Sequence, residues 1–380
     1  MKFGTKLIHN GNEMDKHTGA LSMPIYQVST YHQEDLEKQQ EYDYSRSGNP
    51  TRKALEETMA LLEGGDRGFA FSSGMAATSS VLSTFSAGDH ILICEDVYGG
   101  TYRIGTSFFN RFHVDISFVD AGDLNHIKEH IRSNTKAIFL ETPSNPLLKI
   151  TDLQGAVKIA KDNGLMIIVD NTFMSPYLQR PIELGADIVI HSATKFIGGH
   201  SDVVAGVVVV KGEELAKRVY AVQNGFGAIL GPQDSWLLLR GLKTLKVRMD
   251  YQQKNAYKLA QWLSDQPEVS EVFYPGLPGH PGREIHFSQA EGAGSVLSFK
   301  TINAQTARTF MKNVKIAAVA VSLGGVETIV SYPVKMSHAA MPKSERDRLG
   351  ISDELIRVSV GLEEMEDLID DFERALKPSS

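Results

Sequence analysis

Between residues 67 and 210 the chain repeats one pattern, a short apolar run rich in β-branched residues followed by a longer stretch of mixed polarity. The runs are "GFAFSS", "HILICED", "VDISFVD", "AIFLETP", "LMIIVDN", "DIVIHSA" and "VVAGVVVV". A strand with one wet face would alternate apolar and polar residues, and these do not. Runs of this kind belong to strands covered by helices on both faces, so the pattern predicts a mostly parallel α/β sheet. Helical stretches such as "GMAATSSVLSTF" and "GAVKIAKDNG" supply the covering layers. Upstream, "RKALEETMALLEGG" predicts a helix that closes on the pair Gly64–Gly65.

Outside this block the pattern changes. Residues 1–55 are rich in Gly, Ser, Thr, Tyr and Pro without sustained periodicity, which predicts an extended N-terminal arm lying against something else, such as another subunit. Past residue 245, "RMDYQQKNAYKLAQWLSDQ" predicts a long amphipathic helix. A Gly/Pro loop, "YPGLPGHPGREIHF", weaker strands and a closing helix at "MEDLIDDFERAL" follow. The expected organisation is an arm (1–55), an α/β domain (56–245) and a smaller α+β domain (246–380).

Composition narrows the function. Hydrophobic content of 42% and charged content of 22% are ordinary for a globular chain. A net charge of −7, with no block of Lys and Arg, argues against nucleic acid or an anionic membrane as the partner. No apolar run approaches the ~18 residues of a membrane span. The opening "MKFGTKLIHNGNEMD" turns polar too early for a signal peptide. The single cysteine, Cys94 in "ILIC", excludes an internal disulfide and reads as a small core residue. A cytoplasmic protein is expected.

In open α/β sheets, ligands bind beyond the carboxyl ends of the strands. Asp170 ends "LMIIVD", Glu141 ends "AIFLE", and Lys195 follows "DIVIHSAT". A lysine between runs this apolar is costly to keep charged, and burial favours its neutral amine. Acid and lysine at neighbouring strand ends suit pyridoxal phosphate, where the amine forms a Schiff base and the carboxylate keeps the ring nitrogen protonated. A strand-end Asp also suits a metal or a ribose hydroxyl. In "FSSGMAATSS" a strand passes through glycine into a helix, so the N–H groups of Gly74 and Met75 can face a phosphate. Ser192 and Thr194, two apart on an extended segment, can aim both hydroxyls the same way. Read alone, Ser-Ser-Gly is equally an ordinary helix cap.

Eight blocks occur in order along the chain: "YSRSGNPTR", "SSGMAA", "DVYGGTYR", "ETPSNP", "VDNTF", "HSATKFIGGHSDVVAG", "GPQDSWLLLRGLKTL" and "LIRVSVGLE". Together they resemble the transsulfuration (Cys/Met metabolism) family of pyridoxal-phosphate enzymes. That family holds cystathionine γ-lyase, cystathionine β-lyase, cystathionine γ-synthase and methionine γ-lyase. The resemblance implies fold type I, like aspartate aminotransferase, and pyridoxal 5'-phosphate as cofactor. Lys195 would be the Schiff-base lysine and proton shuttle, Asp170 the partner of the ring nitrogen, and Tyr98 the ring that stacks on the cofactor and helps activate the substrate amine. Gly74, Met75, Ser192 and Thr194 would hold the phosphate, with Tyr44 and Arg46 reaching it from a neighbouring subunit of a homotetramer. Arg357 and Ser322 would take the substrate carboxylate, Arg357 because its planar fork matches one bidentately. Asn145 would lie by the cofactor's phenolic oxygen, and Glu141 would orient the groups around the ring.

The implied activity is γ-elimination of L-cystathionine to cysteine, 2-oxobutyrate and ammonia, with side β-elimination. A β-lyase and a γ-replacement synthase share the same residues, and a nucleotide- or metal-binding protein on the same sheet is the reading from another class. Gly100 stands where methionine γ-lyases usually carry cysteine, which speaks against methionine as the substrate. Val321 stands where many γ-lyases and γ-synthases have glutamate, so the far end of the substrate lacks that carboxylate. Other candidates are weaker. "HIKEH" spaces His126 and His130 like a zinc pair but misplaces the glutamate, so a surface pair is expected. His200 is expected to hydrogen-bond locally, Trp236 to pack in the core, and neither Gly99–Gly100 nor Gly198–Gly199 makes a dinucleotide fingerprint.

Overall fold

A computed structural model describes residues 1–11, 15–35, 37–38 and 40–377. Each of the seven apolar runs forms a strand: β1 (Arg67–Phe71), β2 (His90–Cys94), β3 (Asp115–Val119), β4 (Thr135–Glu141), β5 (Met166–Asp170), β6 (Ile188–His191) and β7 (Gly206–Val210). They make one sheet in the order β1-β7-β6-β5-β4-β2-β3. Strands β2 to β6 pair in parallel, and β7 alone runs antiparallel to both its neighbours.

The continuous apolar code follows from burial on both faces. Along β7, Val207 and Val209 enter one core while Val208 and Val210 enter the other. Covering helices include α3 (Gly74–Leu82) and α6 (Leu153–Asp162), which match the helical stretches read from the sequence. Cys94 is buried within β2, as its apolar run implies.

The arm is less featureless than its sequence. A seven-residue helix, α1 (Phe3–His9), is pinned by one buried residue, Leu7. Helix α2 (Pro50–Glu63) starts within the expected arm. Asn49 caps it by accepting from the Thr51 and Arg52 N–H groups, Pro50 occupies its first turn, and Gly64 ends it at φ 78°. Trp236 is half-buried and its indole N–H donates to the Met23 carbonyl at 3.1 Å, so it ties down the arm rather than filling a core.

A second sheet follows the long helix Leu245–Ser264. It comprises β8 (Val269–Phe273), β9 (Val296–Thr301), β10 (Ala318–Val319), β11 (Ile329–Ser331) and β12 (Leu355–Ser359), ordered β10-β11-β12-β9-β8. Its own core is built around Phe299, Phe310 and Phe372, beneath the closing helix Met365–Leu376. Among the described residues no helix is long and apolar enough to cross a membrane.

Candidate active site

The carboxyl edge of the large sheet gathers the chemistry. Parallel pairing of β4 and β5 sets Glu141 directly beside Asp170 at the last register position. Burial first, and the Asp170 carboxylate second, push Glu141 well above the usual carboxylate range. Burial raises Asp170 as well, against hydrogen bonds from Thr172. Thr172 donates through its backbone N–H at 3.0 Å and its hydroxyl at 2.5 Å to the same Asp170 oxygen, and accepts from the Ser192 N–H at 2.8 Å. Thr172 thus locks Asp170 to the segment leading to Lys195. Glu141 accepts from the Tyr98 N–H at 2.9 Å, which fixes the start of helix α4 (Gly99–Ser107).

Lys195 is mostly buried, and desolvation, with the Arg357 charge nearby, lowers its ammonium to about 8. Its Nζ donates to Ser322 Oγ at 2.5 Å. Ser322 has φ 85°, a left-handed conformation uncommon outside glycine. That conformation lets one residue serve two partners, because the Ser322 carbonyl accepts from Arg357 Nη2 at 2.7 Å. Arg357 also donates to Asn145 Oδ1 at 2.9 Å and to Ser331 Oγ at 3.1 Å. Burial lowers the guanidinium to about 10 while leaving it charged, and the nearby Glu141 opposes the shift. Gly324, two residues on, lies so close to the Lys195 backbone that an added Cβ would sit 2.7 Å from the Phe196 nitrogen. Its N–H donates to Ser359 Oγ at 2.8 Å.

A phosphate cradle lies next to this cluster. Ser73 caps α3 by accepting from the Ala76 N–H, and no cap among the described residues takes the N–H groups of Gly74 or Met75. A Cβ on Gly74 would lie 2.8 Å from Ser192 Cβ and 2.9 Å from its hydroxyl, so glycine keeps this mouth open. The Thr194 hydroxyl exchanges hydrogen bonds with Ala205, accepting at 2.9 Å and donating at 3.2 Å, which leaves Ser192 as the freer of the pair. Tyr98 stands 42% exposed over this region, and a Cβ on Gly100 would fall between its ring and the Met75 sulfur.

These groups fit pyridoxal phosphate. Free first-turn N–H groups suit a phosphate, a lysine that burial makes easier to deprotonate suits an aldehyde, and two crowded carboxyls at strand ends suit a protonated ring nitrogen. Of the expected site residues, Lys195, Ser322, Arg357, Asn145, Tyr98, Glu141 and Asp170 converge, with Gly74, Met75, Ser192 and Thr194 beside them. Tyr44 and Arg46 are exposed elsewhere: Arg46 donates to the Asn224 carbonyl at 3.1 Å and lies over the Tyr44 ring. Val321 is 64% exposed beside Ser322. Thr172, Ser331 and Ser359 were not singled out in the sequence. Only Thr172 carried a local signal, since Asp-x-Thr after a strand is a side-chain turn.

The decoys have local explanations. His126 Nδ1 accepts from the Asp120 N–H, and His130 Nδ1 bonds the His126 carbonyl, as neighbours on helix α5 (Leu124–Glu129) and its cap. His200 bonds the Gly198 carbonyl at 2.8 Å. No cluster able to hold a metal occurs among the described residues.

Fold and site therefore define a pyridoxal-phosphate enzyme of fold type I. Residues 4–377 match the family described as Cys/Met metabolism PLP-dependent enzyme, and the chain belongs to it. It is 56% identical over 373 residues to cystathionine β-lyase MetC of Bacillus subtilis, covering 98% of this chain and 96% of that one. It is 50% identical over 377 residues to cystathionine γ-lyase of the same organism, covering 99% and 100%. The crystal structure of cystathionine γ-lyase from Lactobacillus plantarum superposes with a TM-score of 0.97 at 47% identity, over 99% of this chain and 98% of that one.

Proposed function

We propose that this chain is a carbon–sulfur lyase acting on L-cystathionine. The observation that carries the proposal is the bridge made by Ser322, which joins Lys195, whose ammonium is lowered to about 8, to the Arg357 guanidinium. Arg357 holds the substrate α-carboxylate, and Asn145 and Ser331 keep its fork in place. That anchor sets the substrate Cα–H toward Lys195 Nζ, which takes the proton as a general base. Bound pyridoxal phosphate supplies the electron sink for the charge left on Cα. Asp170 keeps the ring nitrogen protonated, Gly74, Met75 and Ser192 hold the phosphate, and Tyr98 covers the ring. Lys195 returns the proton to the departing thiol.

Cystathionine offers two bonds to sulfur. The resemblance in sequence led to the γ bond with the β bond as alternative. Two observations favour the β bond as the main cleavage: the 56% identity to a β-lyase, and an apolar Val321 beside Ser322. The 50% identity to a γ-lyase supports γ-elimination as the second activity. A product assay on L-cystathionine separates them, since β-elimination gives pyruvate and γ-elimination gives 2-oxobutyrate. Dominant pyruvate supports the primary proposal, dominant 2-oxobutyrate the second, and neither product overturns both.

The active sites are shared between subunits of a homotetramer. Support comes from Tyr44 and Arg46, which are exposed and make their contacts away from Lys195 in their own chain.

A further inference from the structure

Arg52 lies in the first turn of α2, just past the Asn49 cap, and is only 2% exposed. Its fork turns back toward the N-terminal arm. Nη1 donates to the Ser45 carbonyl at 2.8 Å and Nη2 to the Arg46 carbonyl at 3.1 Å. Nε faces Glu56 Oε1 at 3.5 Å, one helical turn on, an ion pair rather than a hydrogen bond. A buried guanidinium is costly unless it is paired and hydrogen-bonded, and Glu56 with two successive carbonyls meets that need.

Those carbonyls belong to the turn that displays Tyr44 and Arg46. The Ser47 and Gly48 N–H groups both donate to the Tyr44 carbonyl at 3.0 Å, which closes the turn. Ser45 is fastened inward. Its N–H donates to the Ser29 carbonyl at 2.9 Å, its hydroxyl donates to the Val28 carbonyl, and its Oγ accepts from Asn49 Nδ2 at 3.3 Å. Tyr44, on one side of Ser45, is 46% exposed, and the guanidinium of Arg46, on the other, lies 5.7 Å from its ring centre.

Two routes to an active site start at Arg52. Glu56 accepts from the Ala70 N–H at 2.8 Å, in the strand β1 that runs into the phosphate cradle of the same chain. The other route is the arm. Both hydrogen bonds of the fork go to the arm and none goes to Glu56.

We propose that Arg52 is a positioning residue for the neighbouring subunit's site, its fork setting the turn that presents Tyr44 and Arg46 to the cofactor phosphate there. This rests on the reading that the active sites are shared. A lysine offers one point charge where the fork offers two separated N–H groups, so it cannot grip both carbonyls in the same way.

The test follows cofactor on Lys195 rather than turnover. Samples equilibrated with increasing pyridoxal phosphate are reduced with borohydride, and labelling of the Lys195 peptide gives the half-saturation. In pure Arg52→Lys it should rise about tenfold, as in pure Arg46→Ala. Each variant is then unfolded and reassembled with a large excess of Lys195→Ala chains, which take no label there and bring an intact arm. Labelling of the Arg52→Lys chains should return to the wild-type half-saturation, because the damaged arm now serves a site without the lysine. Arg52→Gln repeats the test without a buried cation and should behave alike. Unchanged labelling in both pure variants would overturn the proposal. So would a loss that Lys195→Ala neighbours fail to repair, which would place Arg52 in its own chain's site through Glu56. Arg46→Ala is the control: if its loss is not repaired either, the shared-site reading falls. If it is repaired and that of Arg52→Lys is not, the role of Arg52 alone falls.

Discussion

Lys195 is held in a setting that disfavours its charge, and that has a signature in pH. Its ammonium falls from 10.5 to about 8 on folding. Between those values the unfolded chain binds a proton that the folded chain does not, so stability rises with pH across that window. Below about 8 the full penalty is present, an upper bound of about 3 kcal/mol for this shift. In the cofactor-free protein, Lys195→Met should therefore be the more stable form at pH 7, with the gap closing as pH climbs from 8 toward 10.5. Denaturant titrations at several pH values check this, and a gap independent of pH would contradict it. Val321 bears on substrate at the same scale. Val321→Glu would give the distal ammonium of cystathionine a carboxylate partner, worth at most ~1.5–3 kcal/mol and less where solvent reaches it. The ratio of kcat/KM for cystathionine over homocysteine should rise in that variant. An unchanged ratio would remove position 321 from the substrate site.

At the scale of elements, the turn from β1 into α3 makes a sharp demand on one residue. Gly74 begins α3 against Ser192, with no room for a side chain. Gly74→Ala should push Ser192 away from the free N–H groups and weaken pyridoxal phosphate by about tenfold, while the helix itself tolerates alanine well. Equilibrium binding of the cofactor, beside the melting temperature of the cofactor-free protein, tests this. A large fall in melting temperature with unchanged affinity would mean the contact is only structural. The same strands explain what the sequence reveals. The seven runs were legible because burial on both faces removes the polar half of the code, as Val207 to Val210 show. Strand β10, two exposed residues long, leaves no pattern to read. Helix α1 was illegible because a single buried leucine anchors it. Lys195, Asp170 and Glu141 could be read as strand ends. Ser322 and Arg357 came only through resemblance, since the contact joining Lys195 to Ser322 spans 127 residues and that joining Asn145 to Arg357 spans 212.

For the whole molecule, the arm and the lysine belong to different sites if the active sites are shared. Arg46→Ala and Lys195→Ala subunits should each be inactive as pure assemblies. Unfolded together and reassembled, they should regain part of the activity, because one site in a mixed dimer then has both residues intact. Reassembled hybrids of proven composition with no activity would count against sharing. The central claim, that this chain holds pyridoxal phosphate on Lys195, is tested most directly by borohydride reduction of the purified protein followed by peptide mass spectrometry. The structure predicts a phosphopyridoxyl group on the peptide containing Lys195, absent from Lys195→Ala. An adduct on another lysine, or none on a protein shown to contain the cofactor, would contradict it.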